Sequence, residues 1–217
     1  MSEIKTRRSF SGKSAKLYQL KITLSGLSIW RRLLVRGDMN LGLLHTVIQV
    51  AMGWTNSHLH AFSIGNETYS DIDLNEGGFF GEPPDLDERK AILMKIVPRE
   101  KAKFIYEYDF GDSWRHSITV EKILEPDAEH KGFAECLGGK GACPPEDCGG
   151  IGGYAYLLDV IKNPKHKEYE SMMQWLGGGF DPDEFDIEKI NKHLKKLKWP
   201  HTTVNQLARI LMARDGV

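Results

Sequence analysis

Phe104-Ile105-Tyr106-Glu107-Tyr108-Asp109-Phe110-Gly111-Asp112-Ser113-Trp114-Arg115-His116 is the stretch from which the architecture is read. Phe104, Tyr106, Tyr108 and Phe110 alternate with Ile105, Glu107 and Asp109. A period of two sends one set of side chains to an apolar face, as in a half-buried strand. Gly111-Asp112 supplies turn chemistry, because Gly reaches positive φ without steric cost and Asp bonds to nearby backbone. Beyond the turn, Trp114, His116, Ile118 and Val120 alternate with Arg115, Ser117, Thr119 and Glu121. The pattern predicts an antiparallel hairpin pairing 103–108 with 115–124, with 109–113 in its loop. His116 is the odd member of its face. It reads either as a core histidine held by one hydrogen bond or as a ligand or general base beside Asp109 and Asp112. A carboxylate raises a histidine pKa and burial lowers it, so the sign stays open. Trp114 reads as a core or edge aromatic, or as the wall of a binding site.

Composition bounds the rest. The chain has 217 residues, 41% of them hydrophobic, which suits one α+β domain, or a domain with a helical appendage. There is no apolar run of membrane-spanning length, so no membrane partner is expected. The N-terminus has positive charge without an apolar signal core, so a cytoplasmic protein with reduced thiols is expected. A net charge of −1 provides no bulk attraction to nucleic acid.

Outward from the hairpin, residues 1–14 form a polar, basic tail. Alternation predicts strands over 16–24 and 29–35, the second carrying Arg31-Arg32. One of these arginines is expected to face solvent and the other to meet a carboxylate; capture of a phosphate or carboxylate by a bidentate guanidinium is the functional alternative. Asn40 caps a helix over 41–52, whose apolar stripe Leu44, Val47, Ile48 and Ala51 predicts burial against a sheet. Gly53 ends it. His58 and His60 share one face of a strand over 58–64, a workable spacing for two metal ligands, although strand-end histidines making ordinary hydrogen bonds are commoner. The segment 71–88 is acidic and reads as a long surface loop. A strand is expected over 91–97.

The segment 126–153 has little periodicity. Its centre, Cys143-Pro144-Pro145-Glu146-Asp147-Cys148-Gly149-Gly150, precedes a helix expected over 153–162. Cys136, Cys143 and Cys148 are separated by six and four residues, unlike the paired knuckles of structural zinc sites. A zinc site there needs a further ligand from elsewhere. Glu146 and Asp147 either serve the helix start or join Asp109 and Asp112 in a carboxylate cluster able to hold a hard divalent ion. Later helices are expected over 167–176, where Tyr169, Met172, Met173 and Leu176 read as a core stripe, after Asp181-Pro182, and over 203–213.

Several of these stretches together resemble one family. They are Ile29-Trp30-Arg31-Arg32, Leu44-His45, Gly53-Trp54, His58-Leu59-His60-Ala61-Phe62, Tyr108 through His116, Cys143 through Gly150, Gly153-Tyr154 and Phe180-Asp181-Pro182. In that order they are similar to the plasmid pRiA4b Orf-3-like family, over about residues 16–199. The resemblance implies an α+β domain of uncharacterised activity from bacteria and archaea. It also implies association with plasmids and mobile elements, some relatives being labelled transposon passenger proteins. It carries over no catalytic residues.

The expectation is a single α+β domain over 15–199 with a C-terminal helical extension over 200–217. A mostly antiparallel sheet is covered on one face by the 41–52 helix, with the C-terminal helices at an edge or on the same side. The leading functional reading is a non-catalytic binding or accessory protein. A pocket between the 109–113 loop, His58/His60 and the 143–153 loop would hold a protein or small-molecule ligand. Its candidate binding residues are His58, His60, Asp109, Asp112, Trp114, His116, Glu146, Asp147, Arg31 and Arg32. The first alternative is a metal-dependent hydrolase or nuclease with a divalent ion on His58, His60, His116 or the three cysteines. The second is nucleic-acid binding through Arg31, Arg32 and the basic tail.

Overall fold

The computed structural model describes residues 15–74, 85–126 and 132–197. The basic tail, much of the acidic loop and the helix expected over 203–213 lie outside them. The elements, in chain order, are β1 (Leu17–Leu24), β2 (Trp30–Arg36), α1 (Leu41–Met52), β3 (His60–Ile64), β4 (Glu67–Ser70), β5 (Leu86–Asp87), α2 (Leu93–Ile96), β6 (Lys103–Tyr108), β7 (Trp114–Leu124), β8 (Ala134–Lys140), α3 (Gly150–Ile161), α4 (Tyr169–Trp175) and α5 (Ile187–Leu194). The strands form one sheet in the order β5-β4-β3-β6-β7-β1-β2-β8. Neighbours are antiparallel except β4 with β5. This is an α+β fold with the expected hairpin at its centre: Tyr108 faces Trp114 and Lys103 faces Thr119.

Alternation decides which face is covered. Leu20, Ile22 and Leu24 of β1, Leu33 and Val35 of β2, Phe104, Tyr106 and Tyr108 of β6, and Ile118 and Val120 of β7 are all buried. Their alternates Gln19, Lys21, Glu107 and Arg115 are partly or fully exposed. Helix α1 lies on the apolar face, with every residue buried except Gly42. Its sequence explains both ends: Asn40 accepts a hydrogen bond from Leu43 N, and Gly53 turns left-handed at φ 100°. Each fully buried aliphatic side chain contributes roughly 2 kcal/mol, so α1 is the keystone of the core. Helix α5 lies on the same side, against α1 and the edge strand β8. Asn191 bonds both the N–H and the C=O of Cys136 there, which satisfies backbone groups a free edge would leave open.

Four expectations need correction. Residues 91–97 are not a strand. Leu93 N and Met94 N donate to Met39 O and Gly37 O, and the chain then closes one helical turn. Residues 134–140, read as irregular, form β8, whose glycines hid the alternation. A Cβ at Gly139 would stand 2.4 Å from the Phe185 ring, so the strand needs glycine where that ring crosses it. The methionine-aromatic stripe of α4 is not core, since no residue of α4 is buried and Trp175 is 50% exposed. The last described helix starts at Asp186, which accepts from Lys189 N, and not at Asp181-Pro182. Among the described residues no helix is long and apolar enough to cross a membrane.

Candidate functional site

Past Gly53 the chain runs over the open end of the central hairpin before entering β3. Trp54 anchors this 53–59 loop. Its indole Nε1 donates to Pro144 O at 3.0 Å, and its ring packs 4.9 Å from Tyr108 and edge-on to His116 at 5.3 Å. Glu146 completes the joint, accepting from Thr55 N at 3.1 Å, from the Thr55 hydroxyl and from Tyr108 OH at 2.5 Å. Asp112 Oδ2 accepts from Gly149 N at 3.1 Å. Gly150, at φ 66°, passes so close that a Cβ would lie 2.6 Å from Asp112 O. The hairpin turn and the glycine-proline segment therefore meet, as the sequence reading requires.

At the outer edge of this joint lie His58, Asp109 and Asp147. His58 Nε2 is 3.1 Å from Asp147 Oδ1 and 3.6 Å from Asp109 Oδ2. One donor atom from each residue lies within 4.8 Å of the others. Despite those distances, His58 Nε2 is closed to solvent and makes no hydrogen bond, because the directions are wrong for one. Asp109 Oδ1 is occupied, accepting from Gly111 N at 3.0 Å and Asp112 N at 3.3 Å. Among the described residues, five that are not glycine have left-handed backbone, and four of them (Asn56, Asp109, Ser113, Asp147) sit in this corner. Each costs on the order of 1 kcal/mol, and such outliers cluster where a site demands them.

Beneath the loop is a second, buried polar group. Gln49 Nε2 donates to Tyr106 OH at 3.0 Å, so Tyr106 OH is left to donate to His45 Nδ1 at 2.8 Å. His45 then carries its proton on Nε2 and donates to Asn56 Oδ1 at 2.6 Å. Asn56 N returns to Gln49 Oε1 at 2.9 Å. The four residues close a ring. Burial holds the His45 pKa well below 6.5, which agrees with the neutral tautomer the ring needs. His60 stacks on His45 at 3.4 Å and meets Glu88 at 2.7 Å. By distance this is an ion pair. Burial, however, lowers His60 to about 4 and raises Glu88 to about 7, so the pair is better described as a neutral hydrogen bond. These groups floor a cleft of about 740 Å³, bordered by Asn56, His58, Leu59, Asp71 and Leu74.

The candidate pocket is thus divided. His58 and His60 line this cleft, while Cys143 and Glu146 line a separate hollow of about 540 Å³ with Trp54, Trp175 and Phe185. The 53–59 loop runs between them. Among the four candidate carboxylates, Asp109 and Asp147 converge, whereas Asp112 and Glu146 are taken by Gly149 N, Thr55 and Tyr108. His116 is a core histidine, fully buried, with Nδ1 3.3 Å from Tyr106 O and a pKa lowered by burial to about 4. Trp114 is core as well. Arg31 does not face a ligand: buried, it donates to the carbonyls of Ala51, Trp30, Lys140 and Gly141. Arg32 grips Glu121 at 2.7 and 2.9 Å and lies over Trp30. All three cysteines are free thiols. Burial raises their pKa, Cys148 to about 12, and among the described residues no cysteine joins a group of three or more donors spaced to hold an ion.

Gln49, His45, Asn56 and Glu88 escaped the sequence reading. A signal did exist for two of them: His45 and Gln49 stand four apart on a helix whose only other polar side chain is Thr46. Glu88 had none, being one acid among many in the 71–88 segment.

Comparisons with known proteins agree with this frame. The family model described as plasmid pRiA4b ORF-3-like protein matches residues 16–189. An uncharacterised protein, y4hQ of Sinorhizobium fredii, is 35% identical over 191 residues, covering 85% of this chain and 95% of its own. A crystal structure of the protein of unknown function MM3350 from Methanosarcina mazei Go1 superposes with a TM-score of 0.69 at 36% identity. It covers 80% of this chain and 96% of its own. The chain belongs to the plasmid pRiA4b ORF-3-like family.

Proposed function

We propose that this member of the family is a non-catalytic binding protein, and that its small-molecule ligand enters the cleft above Glu88 and His60. The observation that carries this reading is the cleft floor: a buried, mutually bonded polar group under a space of about 740 Å³, the size of a small-molecule site. Leu59 and Leu74 give the cleft apolar sides, Asp71 gives it acidic character and Glu88 gives it a neutral hydrogen-bonding group. Arg89 is already engaged by Asp87 and Asp73. A compact ligand with a hydroxyl or neutral amine end that hydrogen-bonds the uncharged Glu88 carboxyl fits this chemistry. Among the described residues no activated nucleophile faces the space. His45 has both ring nitrogens engaged, and His116 is shut in the core. We further propose a cytoplasmic accessory factor of plasmids or mobile elements; the family's name supports the plasmid association alone.

The test is a thermal-shift screen of the full chain against small amines, amino acids and polyols. A ligand that raises Tm in the wild type and fails with Glu88→Gln is the expected result. Turnover of a phosphoester or amide, lost on His60→Ala, would replace this reading with an enzymatic one. A metal-dependent hydrolase is the second reading, favoured by the His58, Asp109 and Asp147 group.

A further inference from the structure

We infer that His58 Nε2, Asp109 Oδ2 and Asp147 Oδ1 form a site for one divalent first-row transition ion. This goes beyond the ligand cleft, with which it shares only His58.

The spacing is the first argument. Ligands about 2.1 Å from a common ion are about 3.0 Å apart along an octahedral edge and about 3.4 Å along a tetrahedral one. The imidazole nitrogen stands 3.1 and 3.6 Å from the two carboxylate oxygens. A hydrogen-bonded histidine-aspartate pair would explain the shorter distance, but the nitrogen makes no hydrogen bond and has no water-accessible surface. A polar atom so placed normally has a partner. Two aspartates and a neutral imidazole supply two negative charges and a lone pair, which balances a dication.

The site is also held in shape. Asp109 Oδ1 is tied to two backbone N–H groups, which leaves Oδ2 turned toward His58. The His58 ring lies against Tyr108, whose hydroxyl is fixed by Glu146 and Ser57 N. Outer bonds of this kind orient the ligands of a metal. Asp147 is 71% exposed along its side chain, so one side is open for water ligands. An imidazole among the donors favours manganese, iron, cobalt or zinc over calcium and magnesium.

The full chain, stripped with chelator and dialysed, is titrated calorimetrically with MnCl2, CoCl2 and ZnCl2. One ion per chain is expected for at least one of the three. Asp109→Asn and Asp147→Asn are each expected to weaken it by roughly tenfold or more. Both changes keep side-chain shape, and Asn tolerates left-handed backbone, so each variant should melt with the wild type. Glu88→Gln should leave the ion in place. No stoichiometric ion in any titration overturns the inference, as does an affinity unchanged in both Asn variants. Either result leaves the cleft untouched, because cleft binding is read separately through Glu88→Gln.

Discussion

The ring of Gln49, Tyr106, His45 and Asn56 and the corner of His58, Asp109 and Asp147 flank one short loop, yet they handle polar atoms in opposite ways. In the ring every side chain is bonded to the next and the circuit is closed. In the corner two carboxylates face a nitrogen that bonds to neither. The reason is position. In the interior an unmatched polar group carries its full desolvation cost, as His116 Nε2 and Trp114 Nε1 do, and the ring avoids that cost by closing. At the rim, water solvates the outer carboxylate, and an arrangement incomplete by itself can persist. Closure serves structure in the ring, and the open donors of the corner are what the proposed ion site rests on.

That contrast can be broken first by acid. The interior should dominate the response, because His116 has a folded pKa near 4 against about 6.5 unfolded. A depressed folded pKa means the unfolded chain takes the proton first. Its stabilising contribution is complete above about pH 6.5 and is lost as pH falls toward 4, about 3 kcal/mol for this one group. His45 acts in the same direction. Urea unfolding between pH 7 and 4 should show the loss, and His116→Gln should flatten it. An acid response that follows Asp147→Asn instead would invert the comparison.

Gly150→Ala attacks the joint on which the corner depends. The new Cβ meets Asp112 O in a left-handed conformation, and about 2 kcal/mol should be lost, read as a lowered Tm. Tyr106→Phe attacks the ring instead. It strands Gln49 Nε2 and His45 Nδ1 in the interior, and denaturant unfolding should show a loss of about 1.5 kcal/mol. Asp147→Asn, at the exposed rim, should shift stability by less than about 0.5 kcal/mol, measured the same way. A large effect there and none at Tyr106 would reverse the roles assigned to the two regions.

Much of the fold was legible because its signals are local. The alternation about Gly111-Asp112 placed the central hairpin, and Asn40 with Gly53 bounded α1. What escaped depends on distant partners. Strand β8 has too few side chains to alternate, and is defined by pairing with β2. The strand expected over 91–97 was displaced by the 37–39 loop taking its backbone donors. Within the site, His58, Asp109 and Asp147 were among the candidates read from the sequence, and the structure brings them together where Trp54 and Glu146 join two segments. Arg31 was misread because a doublet of arginines looks like a surface feature, while the backbone carbonyls that hold it come from its neighbour Trp30 and from two distant segments, at Ala51 and at Lys140 with Gly141.

Anomalous diffraction from a crystal of the full chain soaked with MnCl2 tests the central claim most directly. The account predicts one peak about 2.2 Å from His58 Nε2, Asp109 Oδ2 and Asp147 Oδ1, with the Gln49–Tyr106–His45–Asn56 ring unchanged beneath it. A peak elsewhere, or His58 found hydrogen-bonded to Asp147 with no ion between them, would contradict it.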